Sequence, residues 1–323
     1  MRKVLLVLVV CFVTFASCTK ENLKDGLALL DPSEDRLELD VQDFPFPSLA
    51  DYGFFKGRLA ELRPAAGVLP YELINILFTD YAHKLRFVWM PEGTSAVYNG
   101  DHDVLDFPDG AVLIKNFYYD HVQPDNGAER SITFRIPSSA ECLTCHKLYD
   151  EAIPIGPKPQ NLNSSYDYPG RTQPSVVVEP MNQLMKWAEV GYLQRGFPKN
   201  IETVPHWDDP TVDINTRVRA YVDIHCAHCH QEGSHCDYRP MRFAFQETAD
   251  PVNLGVCVPP DDPLLPQHTY IVASGNTERS LLHYRFASTN EDERMPLMGR
   301  TLVHEEALTL ISDWINGLQP ACQ

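Results

Sequence analysis

Positive charge is scarce in this chain of 323 residues: 27 Lys and Arg stand against 44 Asp and Glu, a formal net charge of −17. That leaves no basic stripe of the kind a phosphate backbone requires, which excludes nucleic acid as a partner. The same excess suits docking onto basic faces of partner proteins, where complementary fields raise encounter rates. Long apolar runs are scarce too. Val4 to Val13 is the longest stretch of that kind and is too short to span a bilayer comfortably. No phosphate-binding loop, Ser-His-Asp elbow or paired metal motif occurs.

Arg2 and Lys3 precede the apolar run, and Phe15-Ala16-Ser17-Cys18 follows it. This order predicts a lipoprotein signal peptide over 1–17, with Cys18 acylated as the mature N-terminus. Phe15 stands where Leu is usual, so plain secretory cleavage is the alternative. Several acyl chains on one cysteine hold a soluble body at a membrane without a transmembrane helix. The expected location is therefore the bacterial cell envelope, facing periplasm or exterior, with the outer membrane favoured. Residues 18–44 are polar and acid-rich and read as a tether with little core of its own.

Cysteine is where the chain is rich. Of nine cysteines, Cys11 leaves with the signal and Cys18 carries lipid. Four of the others form two copies of one pattern, "CLTCH" at Cys142–His146 and "CAHCH" at Cys226–His230. Cys-x-x-Cys-His is the attachment signature of c-type haem. On a helical turn, positions i, i+3 and i+4 share a face. Cys142 with Cys145, and Cys226 with Cys229, can then bond two haem vinyl groups while His146 and His230 reach iron. A zinc site at Cys226, Cys229 and Cys236 is a weaker reading, because it leaves the first copy unexplained. A thioredoxin-like dithiol would need a βαβ context that is absent. His225, His228 and His235 read as bystanders. Cys236 with Cys257 is the expected disulfide, closing a loop of about 22 residues for roughly 3 kcal/mol. Cys236 with Cys322 is the alternative.

Distal ligands are read from the methionines. Met295, in the loop "EDERMPLMGR", is a soft thioether suited to ferrous iron in the second domain, ahead of Met298. For the first haem the candidates are Met185 and Met181 in "EPMNQLMKWAEVG", with His121, His83 or an open position as alternatives.

Periodicity supplies the framework. "DINTRVRAYVDI" predicts a helix running into the second motif, and "HEEALTLISDWINGL" predicts a closing helix. A short helix is expected near Ser280, and another starts near Pro180 and stops at Gly191. Ser138 or Ser139 can cap the helix carrying the first motif. Upstream, "LRFVWM", "SAVYN", "VLDF", "AVLIKNFYY" and "SITFRI" read as short strands of a small antiparallel sheet. Within it, Lys115 is a solvated edge residue, or less readily a reactive lysine. The fold class is α+β: a β-rich region over 45–137, a first haem segment over 138–206 and a second cytochrome c domain over 207–323. The two haem domains are expected to be small and mainly helical.

Taken together, "GVLPYELINILFTDYAHKLRFVWMPEG", "DFPDGAVLIKNFYY", "ECLTCH", "PIGPKPQNLN", "NQLMKWAEVG", "RAYVDIHCAHCH" and "RMPLMGRTLV" resemble an exported bacterial family of diheme c-type cytochromes over roughly 48–318. The interval between "SITFRI" and "ECLTCH" is shorter than the family pattern. The resemblance implies two covalent haem c groups and single-electron transfer between envelope redox partners. The competing enzyme reading is a diheme peroxidase or other haem oxidoreductase with an open first site.

Overall fold

The computed structural model describes residues 35–119, 136–168 and 180–323. In chain order they form a ladder of β1 (Phe55–Lys56) and β2 (Arg63–Pro64), then β3 (Leu69–Tyr71), β4 (His83–Trp89) and β5 (Val112–Tyr118). Helix α1 (Ser139–Cys145) leads into the hairpin β6 (Lys147–Leu148) and β7 (Glu151–Ala152). Next come α2 (Pro159–Leu162), β8 (Ser165–Tyr166), β9 (Met181–Asn182) and α3 (Gln183–Glu189). The last elements are α4 (Ile214–Val222), α5 (Leu281–Ala287) and α6 (Glu305–Gly317). The signal peptide, Cys18, His121 and most of "SITFRI" fall outside the described residues. Among those described, no helix is long and apolar enough to cross a membrane.

The chain divides into two units. The first holds 35–73, 83–119, 157–168 and 180–203 of the described residues. Its sheet runs β3-β4-β5, antiparallel throughout, with Phe87 opposite Ile114 and Trp89 opposite Val112. Alternation sends these four side chains to one face, where they join Tyr52, Phe54, Leu62 and Val68 in a core. The other face carries Tyr71, Arg86 and Lys115 in one cross-strand row. Lys115 is half-buried there, with its ammonium 6.0 Å from the Phe117 ring centroid. Burial first, then the neighbouring Arg86 charge, lowers its pKa to about 7.

Two expectations change in this unit. The tether ends sooner than residue 44. Leu37, Leu39, Val41 and Phe44 pack on the sheet core, and Leu37 N–H donates to Ala66 O at 2.8 Å. These apolar side chains are spaced among acids, so their sum looked polar while one face was not. Helix α3 starts at Gln183 rather than near Pro180, because the Asn182 side chain accepts from Leu184 and Met185 N–H and caps it there. Met181 is thereby left in β9.

The second unit holds 74–82, 136–156 and 204–323 of the described residues. Asp213 caps α4 by accepting from Thr216 N–H at 2.9 Å. Val218, Tyr221 and Val222 of α4, Phe286 of α5, and Leu310, Ile311, Trp314 and Ile315 of α6 form its core. Each such side chain contributes roughly 1.5–3 kcal/mol by leaving water. The first motif lies in the same unit as the second, while 157–168 and 180–203 group with the sheet.

The disulfide also differs: Cys257 pairs with Cys322, and Cys236 keeps a free thiol. Cys257 N–H donates to Val272 O at 2.9 Å, and Ser274 N–H points at the Cys322 sulfur at 3.2 Å. The chain around 272–274 therefore carries both cysteines into register. Cys236 is drawn elsewhere, its N–H donating to Cys229 O at 2.9 Å.

Candidate functional site

Both Cys-x-x-Cys-His segments are wound into the same turn. Helix α1 opens on a capping box: Ser138 N–H donates to the Glu141 carboxylate at 2.8 Å, and Glu141 N–H donates back to the Ser138 hydroxyl at 3.4 Å. At its end, His146 N–H donates to Cys142 O at 2.9 Å. In the second copy, α4 passes into a π-helical turn over Asp223–Ala227, and His230 N–H donates to Cys226 O at 3.0 Å. Each histidine thus closes the same i to i+4 backbone hydrogen bond onto the first cysteine of its motif.

The hairpin β6–β7 folds Ile153 back onto the first motif. Ile153 N–H donates to His146 O at 3.0 Å, and His146 Nδ1 lies 3.0 Å from Ile153 O. A carbonyl can only accept, so this contact places an imidazole proton on Nδ1. That is the tautomer a metal-bound histidine takes when a backbone carbonyl orients it. His230 is buried, packs edge-on against Phe243 at 5.4 Å, and has no partner for Nδ1 among the described residues. Burial above all, then His228 and the guanidinium groups of Arg239, Arg242 and Arg285, lowers its pKa to about 4. It is a neutral imidazole at physiological pH, the form that ligates metal.

The two motifs meet. The sulfurs of Cys145 and Cys229 and one ring nitrogen of His228 all lie within 4.8 Å of one another. Cys229 Sγ donates to Thr144 O at 3.3 Å. Hydrogen bonding from Cys229, with smaller help from His228 and His235, lowers the Cys145 pKa to about 5. The same shared proton, together with burial, holds Cys229 as a thiol. Burial also raises the Cys226 pKa. The loops beyond the motifs are joined as well: Tyr149 N–H donates to Gly233 O at 2.7 Å.

Met295 sits half-buried on a loop fastened from two sides. Its N–H donates to Arg285 O at 3.0 Å, and Arg300 donates to its carbonyl at 2.8 Å. Arg300 also donates to the carbonyls of Phe286, Ser288 and Leu302. Asp80 takes the Thr301 and Leu302 N–H groups, each at 2.7 Å. Pro296 lines a pocket of about 10 Å³, room for little more than a water, with Tyr221, His225, Phe286, His304 and Ile311. Met298 is half-buried on the same loop. Met181 and Met185 belong to the first unit, Met185 being 52% exposed, and His146 belongs to the second.

Sequence reasoning took His228 for a bystander and did not name His268 or Arg300. His228 is buried with Nδ1 unpartnered among the described residues, and it is one of the three groups at the junction of the motifs. His268 is buried against Tyr284 at 4.6 Å, also with an unpartnered Nδ1. Arg300 carries no motif signal at all. A histidine inside the second pentapeptide was a signal for the first of these.

The donor sets suit haem c: two thiols and a histidine on each turn, one imidazole oriented by a carbonyl and the other neutral and unpartnered at Nδ1. In comparison with known proteins, no family model matches the chain, and neither a curated protein nor a solved structure resembles it significantly.

Proposed function

We propose that the protein is a diheme c-type cytochrome, held at the bacterial envelope by lipid on Cys18, that carries single electrons between redox partner proteins. The observation that carries this reading is the repetition of one turn, with its His-to-Cys hydrogen bond, at Cys142–His146 and at Cys226–His230. Cys142 and Cys145 would tether one haem and Cys226 and Cys229 the other, with His146 and His230 as proximal ligands. Bound there, haem supplies a one-electron ferric/ferrous couple. The chain's own part is to hold and tune. Ile153 O orients His146, burial keeps His230 neutral, and the Arg300-bound loop offers Met295 as the distal ligand of the second haem. The acidic surface implied by the net charge favours partners with basic docking faces.

A second reading has its own support, since Cys145, His228 and Cys229 already gather three ligand atoms within 4.8 Å. Zinc would take these with a fourth donor. A pyridine haemochrome assay with intact mass and metal analysis separates the two. Two haems per chain and an acylated Cys18 are expected. A colourless mature protein holding one zinc would replace the cytochrome reading with the second. Peroxide turnover by the coloured protein would instead favour a haem oxidoreductase.

A further inference from the structure

We infer that the first unit binds a small oxyanion, the carboxylate of an organic acid or a free phosphate, on Arg86 and Lys115 of its sheet. The inference stands apart from the haem reading, since every residue it uses lies in the sheet unit and none belongs to a Cys-x-x-Cys-His turn.

Strand pairing sets the site. Tyr71 of β3 stands opposite Arg86 of β4, and Arg86 stands opposite Lys115 of β5. Two cations directly opposite on one sheet face repel each other, and burial strengthens the repulsion. Arg86 is only 4% exposed, and its Nε has no hydrogen-bond partner among the described residues. A guanidinium stays charged at any physiological pH, so Arg86 cannot relieve this by losing a proton. The acidic side chain that acts on it, Glu72, is exposed, and its effect ranks below those of burial and Tyr71. No Asp or Glu of this unit is buried among the described residues. A buried charge calls for a counter-charge, and here the protein's own carboxylates do not supply it.

The surroundings hold these donors still. Glu72 N–H donates to Gln183 Oε1, and Gln183 Nε2 donates back to Glu72 O, each at 2.8 Å, which pins the end of β3. The Tyr71 ring packs edge-on against Trp187 at 5.5 Å. Burial raises the Tyr71 pKa to about 12, so its hydroxyl is a neutral donor. Leu69, Val88 and Leu113 form the next row on the same face, all buried. Strand β5 is at the edge of the described sheet and Lys115 is half-buried, so an ion reaches the row from the Lys115 end. A guanidinium fork, an ammonium and a phenol together match an anion with two or more oxygens. Its charge removes the repulsion between Arg86 and Lys115 and keeps the proton on Lys115.

The test uses the full-length protein as purified, near neutral pH, with inorganic phosphate and acetate as probes and chloride at equal ionic strength as reference. Reductive methylation with formaldehyde and cyanoborohydride, followed by peptide mapping, reads the rate at Lys115 against the chain's other lysines. A bound oxyanion covers the amine and holds its proton, so saturating probe should slow labelling of Lys115 about tenfold and leave the other lysines unchanged. Slowing by phosphate alone identifies an inorganic oxyanion, slowing by acetate alone a carboxylate, and slowing by both a site that accepts either. Equal Lys115 rates in all three salts would overturn the inference. Isothermal titration with the effective probe gives a second reading, in which Arg86→Gln should bind at least about tenfold more weakly than the parent. Lys115→Met should show the same loss and serves where Arg86→Gln does not fold. Parent-like affinity in either folded variant would overturn the inference too.

Discussion

Tyr149 and Gly233 hold each other through backbone and ring at once: the amide of one donates to the carbonyl of the other at 2.7 Å, and the ring fills the space beside a Cα that bears no side chain. Gly233 is also left-handed, at φ +75°. We expect Gly233→Ala to lower unfolding free energy by about 1–2 kcal/mol from the backbone alone. A urea titration of the oxidised protein measures it, and an unchanged midpoint would show that the tie contributes nothing to stability.

The Cys257–Cys322 bridge spans 65 positions of sequence. Chain-entropy arguments give about 4 kcal/mol for a loop of that size. Cys322→Ala should lose a large part of that sum, whereas Cys236→Ala should change stability little. Thiol labelling under denaturing, non-reducing conditions followed by peptide mapping checks the pairing: label on Cys236, and none on Cys257 or Cys322.

Arg300 is buried and gives its protons to backbone carbonyls on both sides of Met295. Removing it strands several acceptors, at about 1–3 kcal/mol for each group left buried and unpaired. Arg300→Ala should therefore lower stability. On the proposed reading, in which Met295 ligates the second haem, it should also weaken methionine-to-iron charge-transfer absorption, and Met295→Ala should abolish that absorption and lower that haem's potential, because His/Met ligation raises it. Retention of the band in Met295→Ala would point to a different distal ligand.

Lys115 gives a pH signature. Its pKa is lowered to about 7 in the folded protein, chiefly by burial and next by Arg86, against about 10.4 for an unperturbed lysine. Below pH 7 both states are protonated and the folded state bears the full penalty. Between about 7 and 10.4 the unfolded chain binds the extra proton, so stability rises with pH, and above that the penalty is gone. Lys115→Met should be more stable than the parent at pH 6, with the difference shrinking towards pH 10. A difference constant across that range would show that Lys115 does not titrate abnormally.

Much of the local structure was legible because it is set by neighbours in sequence. The apolar stripe from Val218 to Ile224 and that from Leu308 to Ile315 give α4 and α6, and Ser138 with Glu141 gives the cap of α1. The strand pattern in "LRFVWM" and "AVLIKNFYY" gives β4 and β5, paired as expected. What was not legible depends on distant chain. Nothing near Cys145 says that Cys229 lies beside it, and no local pattern tells Cys257 to prefer Cys322 to the nearer Cys236. Shorter loops cost less entropy to close, which favours the wrong partner on sequence alone. The carbonyl of Ile153 could not be matched to His146 before the hairpin between them was known.

Among the described residues the chain changes unit at 73/74, 82/83, 156/157 and 203/204, and 83–119 and 136–156 belong to different units. Neither unit is one continuous segment, so no simple truncation can isolate either. During synthesis from N- to C-terminus, the surroundings of Cys142–His146 stay incomplete until residues beyond 204 have emerged.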